Sequence, residues 1–305
     1  MKILVITNSY DVTVDYIINK YNSYYQIFRF NIDKFDEYRI RIANNPFNYL
    51  ISSPVQEIKS EEIKSIYFRK PTFSKKQEDE IGLVKKSLLR LIYGFAESFD
   101  GTCLTRPSIL SVSENKVVQM KVAEKVGLKI PKSLITNIRL DADQFSNTNR
   151  STIFKFLCNS NYEKGNNEYT LGTNILDDSE SLRGIEKLPI YFQEYQEKTY
   201  ELRVTIIGET IYAVKILSQG HESTRIDWRK CYNALQYGMD ELPKSVRDKL
   251  FLLMKELNIK FGAFDLIFHN GEYYFLEVNP NGQWLWLERS LGIDISEQII
   301  KYLIK

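Results

Sequence analysis

Residues 261–280 hold the feature that most constrains this chain. Two runs rich in aromatic and branched residues, Phe261 to Phe268 and Tyr273 to Val278, flank the pair Asn270-Gly271, and that pattern predicts a β-hairpin. Asp265, Glu277 and Asn279 interrupt the apolar pattern. Carboxylate and amide oxygens are costly to bury in a sheet unless something pairs with them. A hard cation such as Mg²⁺ takes oxygen donors and tolerates carboxylates together with substrate phosphates. The alternative is an ordinary hairpin whose polar residues face solvent. Side chains alternate along a strand, so Glu277 and Asn279 share a face. Asp265 lies twelve residues before Glu277, and that even separation needs an odd loop to bring the two together. A three-residue loop, His269-Asn270-Gly271, with Gly271 in the left-handed conformation and a bulge, is the geometry expected.

The chain has 305 residues, 43% hydrophobic and 26% charged, enough for a proper core across two or three units. Its net charge of +2 gives no electrostatic case for nucleic acid. Cys103, Cys158 and Cys231 are odd in number and far apart, which argues against a disulfide framework or a zinc site and fits a reducing cytoplasm. No apolar run is long enough to span a bilayer, so no membrane partner is expected. The two histidines, His221 and His269, sit in no catalytic arrangement; His269 fits a turn and His221 a loop.

Residues 1–105 read as an α/β unit. Strands are expected at Ile3–Ile6, Ile27–Phe30 and Ser65–Arg69, with a helix over Asp11–Lys20. A capping box at Ser74–Gln77 opens a longer helix to about Phe99. Alternating strands and helices imply an open, largely parallel sheet, and no G-x-G-x-x-G follows the first strand. Arg69-Lys70-Pro71 ends the third strand, where basic residues serve either a substrate carboxylate or a solvated strand end. Residues 106–190 form a second unit. Ser113 is a candidate N-cap for a helix over Glu114–Val126, Gly127 stops it, and Pro131 follows. Strands follow at Ser133–Ile135 and Ser151–Leu157. Within the latter, Lys155 faces either an anion such as a nucleotide phosphate or solvent. The polar stretch from Cys158 to Asn174 fits a flexible loop, either over a phosphate site or simply at the surface. Residues 191–305 form the third unit. A hairpin turns at Gly208-Glu209, with Glu201 and Arg203 on one face and Lys215 on the return strand. Helices are expected over Val246–Leu257 and Ile293–Ile304.

Taken in order, Asn115-Lys116, Lys155, Gln193-Glu194-Tyr195, Glu201-Leu202-Arg203 and Asp265 with Glu277-Val278-Asn279-Pro280 resemble the ATP-grasp superfamily of carboxylate ligases. The resemblance spans nearly the whole chain and implies an α/β (α+β grasp) architecture, an N-terminal pre-ATP-grasp domain followed by a two-part grasp. Tyr67-Phe68-Arg69-Lys70-Pro71, Ile226-Asp227-Trp228-Arg229 and Asn279-Pro280-Asn281-Gly282-Gln283-Trp284 are similar to the microviridin-type macrocyclases of ribosomal peptides, with Lys70 standing where a second arginine is expected. Carried over residue by residue, the resemblance implies that Asp265, Glu277 and Asn279 ligate Mg²⁺. It implies that Lys116 and Lys155 contact ATP phosphates, that Gln193, Glu194 and Tyr195 hold adenine, and that Glu201 reaches the ribose. Arg203 and Lys215 would then face the γ-phosphate and acyl phosphate, and Arg69, Arg225, Asp227 and Arg229 the substrate peptide.

The activity implied is activation of a peptide carboxylate as an acyl phosphate, then capture by a hydroxyl or amine on the same precursor. The precursor would bring a leader segment to the middle unit, and the ligase would be cytoplasmic and dimeric. The alternative is a ligase that adds an amino acid to a protein tail or joins small molecules. A nucleotide-binding scaffold without turnover is a third reading. The segment Trp284-Leu285-Trp286 suits either a peptide surface or core packing beneath the last helix.

Overall fold

The computed structural model describes residues 2–73, 82–157, 161–164, 167–170, 172–176, 182–231 and 235–305. The capping box expected at Ser74–Gln77 lies outside them. The first part contains β1 (Lys2–Thr7), α1 (Val12–Tyr21), β2 (Gln26–Asn31), β3 (Arg39–Ala43), β4 (Asn48–Ser52), β5 (Glu57–Lys59), β6 (Ile63–Phe68), α2 (Gly82–Glu97) and β7 (Thr102–Leu104). A wholly parallel sheet in the order β2-β1-β6-β7 matches the expectation. Asp11 caps α1 rather than opening it, its carboxylate accepting from the N–H of Thr13 and Val14. An antiparallel sheet of β3, β4 and β5 was not anticipated, although Arg39-Ile40-Arg41-Ile42 alternates with period two.

Next come α3 (Pro107–Ser113), α4 (Lys116–Lys125), β8 (Ser133–Thr136), α5 (Arg139–Thr148), β9 (Thr152–Lys155), β10 (Asn161–Lys164), β11 (Asn167–Thr170), β12 (Asn174–Ile175) and β13 (Ile190–Glu194). The helix expected from a Ser113 cap begins two residues later, at Lys116. Ser113 ends α3, its Oγ donating back to the Ile109 carbonyl at 2.7 Å. Asn115 is the cap, accepting from the N–H of Val117 and Val118 at 2.9 and 3.3 Å. Gly127 takes the left-handed conformation that ends the helix, at φ +72°. Where the polar stretch suggested a loop, β10 and β11 form an antiparallel ribbon. The central sheet runs β12-β9-β13-β8. The division drawn at 190/191 therefore passes through β13, whose partners β8 and β9 belong to that sheet.

The last part holds β14 (Tyr200–Ile207), β15 (Thr210–Ile216), β16 (Tyr237–Asp240), α6 (Lys244–Glu256), β17 (Phe261–His269), β18 (Glu272–Asn279), α7 (Leu285–Leu291) and α8 (Ile295–Ile304). An antiparallel sheet runs β16-β15-β14-β17-β18. The β14–β15 hairpin turns at Gly208-Glu209 as expected. The β17–β18 hairpin departs from expectation in how it turns. His269 pairs with Glu272, so the loop is the two residues Asn270 and Gly271, both at positive φ. That loop alone would set Asp265 opposite Leu276. Instead Leu266 pairs with Phe275 and Asp265 with Glu277, leaving Leu276 as the extra residue of a β-bulge. The two carboxylates share a face through this bulge, not through a longer turn.

One core layer packs Ile3, Val14 and Ile17 of the first part against Trp284, Leu285 and Ile299. Trp284 is fully buried there, which settles that residue as core. Trp286 stacks obliquely on Trp228 and Tyr237. A second layer joins Ala123 and Val126 of α4 to Leu253 of α6 and Phe264 of β17. Among the described residues no helix is long and apolar enough to cross a membrane.

Candidate active site

The hairpin carboxylates each face a cation. Arg203 lies opposite Asp265 across β14 and β17, and its Nη1 donates to Oδ1 and Oδ2 at 2.8 and 2.9 Å. Lys116, in the first turn of α4, donates its Nζ to Glu277 Oε2. Asn279 Nδ2 reaches Glu277 Oε1 at 3.4 Å. Gln119, one turn beyond Lys116, holds the helix in place. Its amide donates to the Val278 and Ser113 carbonyls at 2.8 and 2.7 Å and accepts from the Val278 N–H at 3.1 Å. Sequence reasoning missed Gln119; its signal is a glutamine on the buried stripe that ends in Ala123.

A cleft of about 570 Å³ opens between the central and C-terminal sheets. Lys155, Glu194, Tyr195, Glu201, Asp265 and Glu277 all line it. Gln193 lines it too, but its side chain orients Lys155: Oε1 accepts from Lys155 Nζ at 3.1 Å, while Nε2 donates to the Tyr191 hydroxyl and Ser133 Oγ at 3.0 and 3.1 Å. The N–H groups of Glu194 and Tyr195 are committed to the Lys132 and Ser151 carbonyls at 2.8 and 2.9 Å. An adenine there would meet other backbone groups of the strand end. Glu201 pairs with Lys198 at 2.9 Å, and Lys198 also donates to the Ile226 carbonyl at 3.0 Å. Lys198 was not anticipated, since its burial depends on how the 218–228 segment folds over it.

Asp227 and Arg229 form a two-pronged pair, both contacts at 2.8 Å, on the wall of this same cleft. Burial pushes Asp227 up, and the hydrogen bonds and charge of Arg229 outweigh it and hold the carboxylate below its usual range. Burial raises Asp265, opposed by Arg203 and reinforced by Glu277. Burial also works against ionised Glu277, yet Lys116 and Lys155 outweigh it and hold Glu277 well below the carboxylate range. Burial lowers Lys155 to about 8, with Glu277 opposing the shift.

Three expected residues fall elsewhere. Lys215 pairs in register with Leu202, one position off Arg203, so it emerges on the opposite face of the sheet. There its Nζ sits 4.3 Å above the Tyr200 ring and 3.8 Å from Asp240. Arg69 is buried, and its side chain turns to the loop after β18. It is 0% exposed, and its guanidinium donates to Asn281 O, Asn281 Oδ1 and Gln283 Oε1 at 2.6, 2.8 and 2.6 Å. Arg225 is exposed and bonds back to the Gln219 carbonyl at 3.4 Å, outside the cleft lining.

Two half-buried carboxylates and an amide, all oxygen donors on one hairpin face, fit a hard divalent cation. The proton affinity of Asp265, raised by burial and by the charge of Glu277, is the electrostatic demand such a cation would meet. Among the described residues no set of three or more His, Cys, Asp or Glu gathers anywhere, the hairpin included, so a cation here would rest on two carboxylates and an amide.

No family model and no curated protein sequence matches the chain. Solved structures do. The macrocyclase MdnC bound with precursor peptide MdnA, from Microcystis aeruginosa MRC, is 29% identical with a TM-score of 0.87, over 100% of this chain and 99% of that one. A Chryseobacterium gregarium RiPP-associated ATP-grasp ligase, solved with ADP and a leader and core peptide, is 28% identical with a TM-score of 0.87, over 99% and 95%. The chain has the ATP-grasp fold. The D-alanyl-alanine synthetase A of Vibrio cholerae, at 12% identity and a TM-score of 0.64 over 99% of this chain, shares that fold and no more. The central and C-terminal sheets wall the cleft, which Lys155 lines together with Asp265 and Glu277.

Proposed function

We propose that this chain is an ADP-forming ATP-grasp ligase that closes ester or amide rings in a ribosomally made precursor peptide. The observation that carries this is one cleft holding two facing acidic oxygen donors ringed by Lys116, Lys155, Arg203 and Arg229, in a chain matched from end to end by two peptide-modifying ligases. ATP and Mg²⁺ are the cosubstrate and cation, and Asp265, Glu277 and Asn279 hold the metal. Mg²⁺ supplies charge neutralisation of the phosphates. Lys155, oriented by Gln193, and Lys116 bind phosphate oxygens. Lys198 presents Glu201 toward the ribose. Arg203, held by Asp265, and Arg229, held by Asp227, stabilise negative charge during transfer.

The peptide carboxylate oxygen attacks the γ-phosphorus and ADP leaves. The hydroxyl or amine then attacks the acyl carbon, and phosphate departs with the net loss of one water. No covalent enzyme intermediate is required, so the site needs positioning and charge rather than a nucleophile. The leader segment docks on the middle unit, where an apolar groove of about 670 Å³ is floored by Phe154, Phe156 and Phe192 and rimmed by Arg183 and Lys187. A dimer and a cytoplasmic setting belong to the same reading, and Cys103 and Cys231 as free thiols suit a reducing compartment.

Mass spectrometry of candidate precursor peptides with ATP and Mg²⁺ tests the proposal. ATP-dependent loss of one water per link supports it. Gain of an amino-acid residue mass moves the chain to tail-modifying ligases. Binding of ATP without any turnover on a panel of peptides refutes the enzyme reading in favour of a scaffold.

A further inference from the structure

Arg69 lies at the end of β6, in the first part of the chain, and the hydrogen-bond partners of its guanidinium lie more than two hundred residues away in the loop after the metal-type hairpin. Its Nη1 donates to both oxygens of Asn281 and its Nη2 to Gln283 Oε1, so three of its donors fix one three-residue loop. Asp11, the cap of α1, stands 3.8 Å from its Nε, and Thr13 of α1 donates to the same Gln283 Oε1 at 3.1 Å. The loop so gripped touches the reaction centre from its other side. The Gln283 carbonyl accepts from Arg203 Nη2 at 3.3 Å, and Arg203 Nη1 is the group that holds Asp265. Gly282 lets this happen: a Cβ there would stand 2.5 Å from Ala263 Cβ and 3.1 Å from Arg203 Nη2.

We propose that Arg69 is a positioning residue, which through Gln283 sets the guanidinium of Arg203 and so makes the metal-binding face of the hairpin depend on docking of the N-terminal part. This rests on the proposed ligase reading, and it assigns Arg69 a role unlike the substrate contact expected from its strand-end position. A planar fork bonded to a carbonyl, an amide oxygen and a second amide fixes angles as well as distance, which a lysine ammonium does not. If Gln283 loses Oε1, the loop keeps its bonds to Arg69 at Asn281 but loses the anchor on the residue whose carbonyl holds Arg203. Arg203 is then free to shift, and Asp265 shifts with it. Displacements of an ångström at a transfer site are enough to cost two orders of magnitude in rate.

The experiment compares wild type, Arg69→Lys and Gln283→Leu by calorimetric titration with ATP, with and without Mg²⁺, alongside thermal melts and ATP turnover on a peptide substrate. The expected result for Gln283→Leu is metal-free ATP affinity within about twofold of wild type and loss of most of the Mg²⁺-dependent gain. The turnover kcat falls at least about tenfold, and KM for ATP in Mg²⁺ rises by the part of the gain that is lost. Arg69→Lys behaves likewise, because charge without the fork does not restore the geometry. A clamp that is only structural would lower melting temperature and metal-free affinity together, and that result overturns the inference. So does a folded variant whose Mg²⁺ dependence and kcat match wild type. Wild type binding ATP with no Mg²⁺ dependence removes the metal reading itself, and this inference with it.

Discussion

Lys155 offers a prediction that can be worked through in numbers. Burial lowers its ammonium from 10.5 to about 8. At roughly 1.4 kcal/mol per pKa unit, the difference between 10.5 and about 8 means that burying the ammonium costs on the order of 3 kcal/mol at neutral pH. The sign follows from proton linkage. Between about 8 and 10.5 the unfolded chain binds more protons at this lysine than the folded one, so this contribution makes stability rise with pH across that window. Below about 8 the full cost of the buried ammonium is present. Nucleotide binding runs the other way, because a phosphate needs the charged form. From pH 7 to pH 9 the charged fraction falls from about 90% to about 10%, so the apparent Kd for ATP rises by about tenfold. The assay is equilibrium titration with ATP across that range, in wild type and in Lys155→Arg. Guanidinium does not titrate here, so the variant stays flat apart from the titration of ATP itself, and the ratio of the two curves isolates the lysine. A ratio that does not change between pH 7 and pH 9 refutes the assignment of Lys155 to the phosphates.

Glu277→Gln keeps shape and removes the charge that Lys116 and Lys155 face, so ATP consumption falls by two orders of magnitude or more; unchanged consumption in a coupled ADP-release assay would sink the metal assignment. Gly282→Ala forces a methyl to 2.5 Å from Ala263 Cβ, an overpacking cost of about 1–3 kcal/mol, read as a lower denaturation midpoint with an additional loss of kcat. Lys215→Ala, on the far face of the sheet, leaves kcat and KM for ATP within about twofold in steady-state kinetics. Asp227→Asn keeps one hydrogen bond to Arg229 but removes the ion pair, and kcat falls by about tenfold or more with little change in melting temperature.

What could be read from the residues and what could not divides along physical lines. Apolar runs and helical periodicity located β1, β6, β14, β15, β17, α1 and α6, because the strands β1 and β14 are buried on both faces and the helices along one. The same patterns marked Asp265, Glu277 and Lys155, whose polar groups break an apolar run. Boundaries depending on a single local hydrogen bond were displaced: Ser113 and Asn115 are both good caps, and the choice between them is made by α3 packing in front of α4. Partnerships across two hundred residues were invisible. Arg69 read as either a substrate contact or a solvated strand end, because nothing local shows that Asn281 and Gln283 close over it. Lys215 was placed with Arg203 by the family resemblance, yet the register that decides its face pairs it with Leu202.

The hairpin shows why a correct outcome does not certify the reason given for it. An even separation between Asp265 and Glu277 demands one unpaired residue somewhere between them, and sequence arithmetic does not say where. A left-handed Gly271 makes a bulge at the turn plausible on chemistry alone. The chain instead closes the turn with Asn270 and Gly271, both at positive φ, and spends the extra residue at Leu276, beside the carboxylates. That location has a physical consequence which a bulge at the turn would lack. It interrupts the ladder next to Glu277 and puts Leu276 in the cleft lining, where the locally increased twist re-aims the strand toward Lys116. Beyond the bulge the register is regular again through Asn279, so the three oxygen donors keep one face. The bulge thus joins two demands on the same strand: an ordinary tight hairpin at one end, and a carboxylate pair aligned for a shared cation at the other.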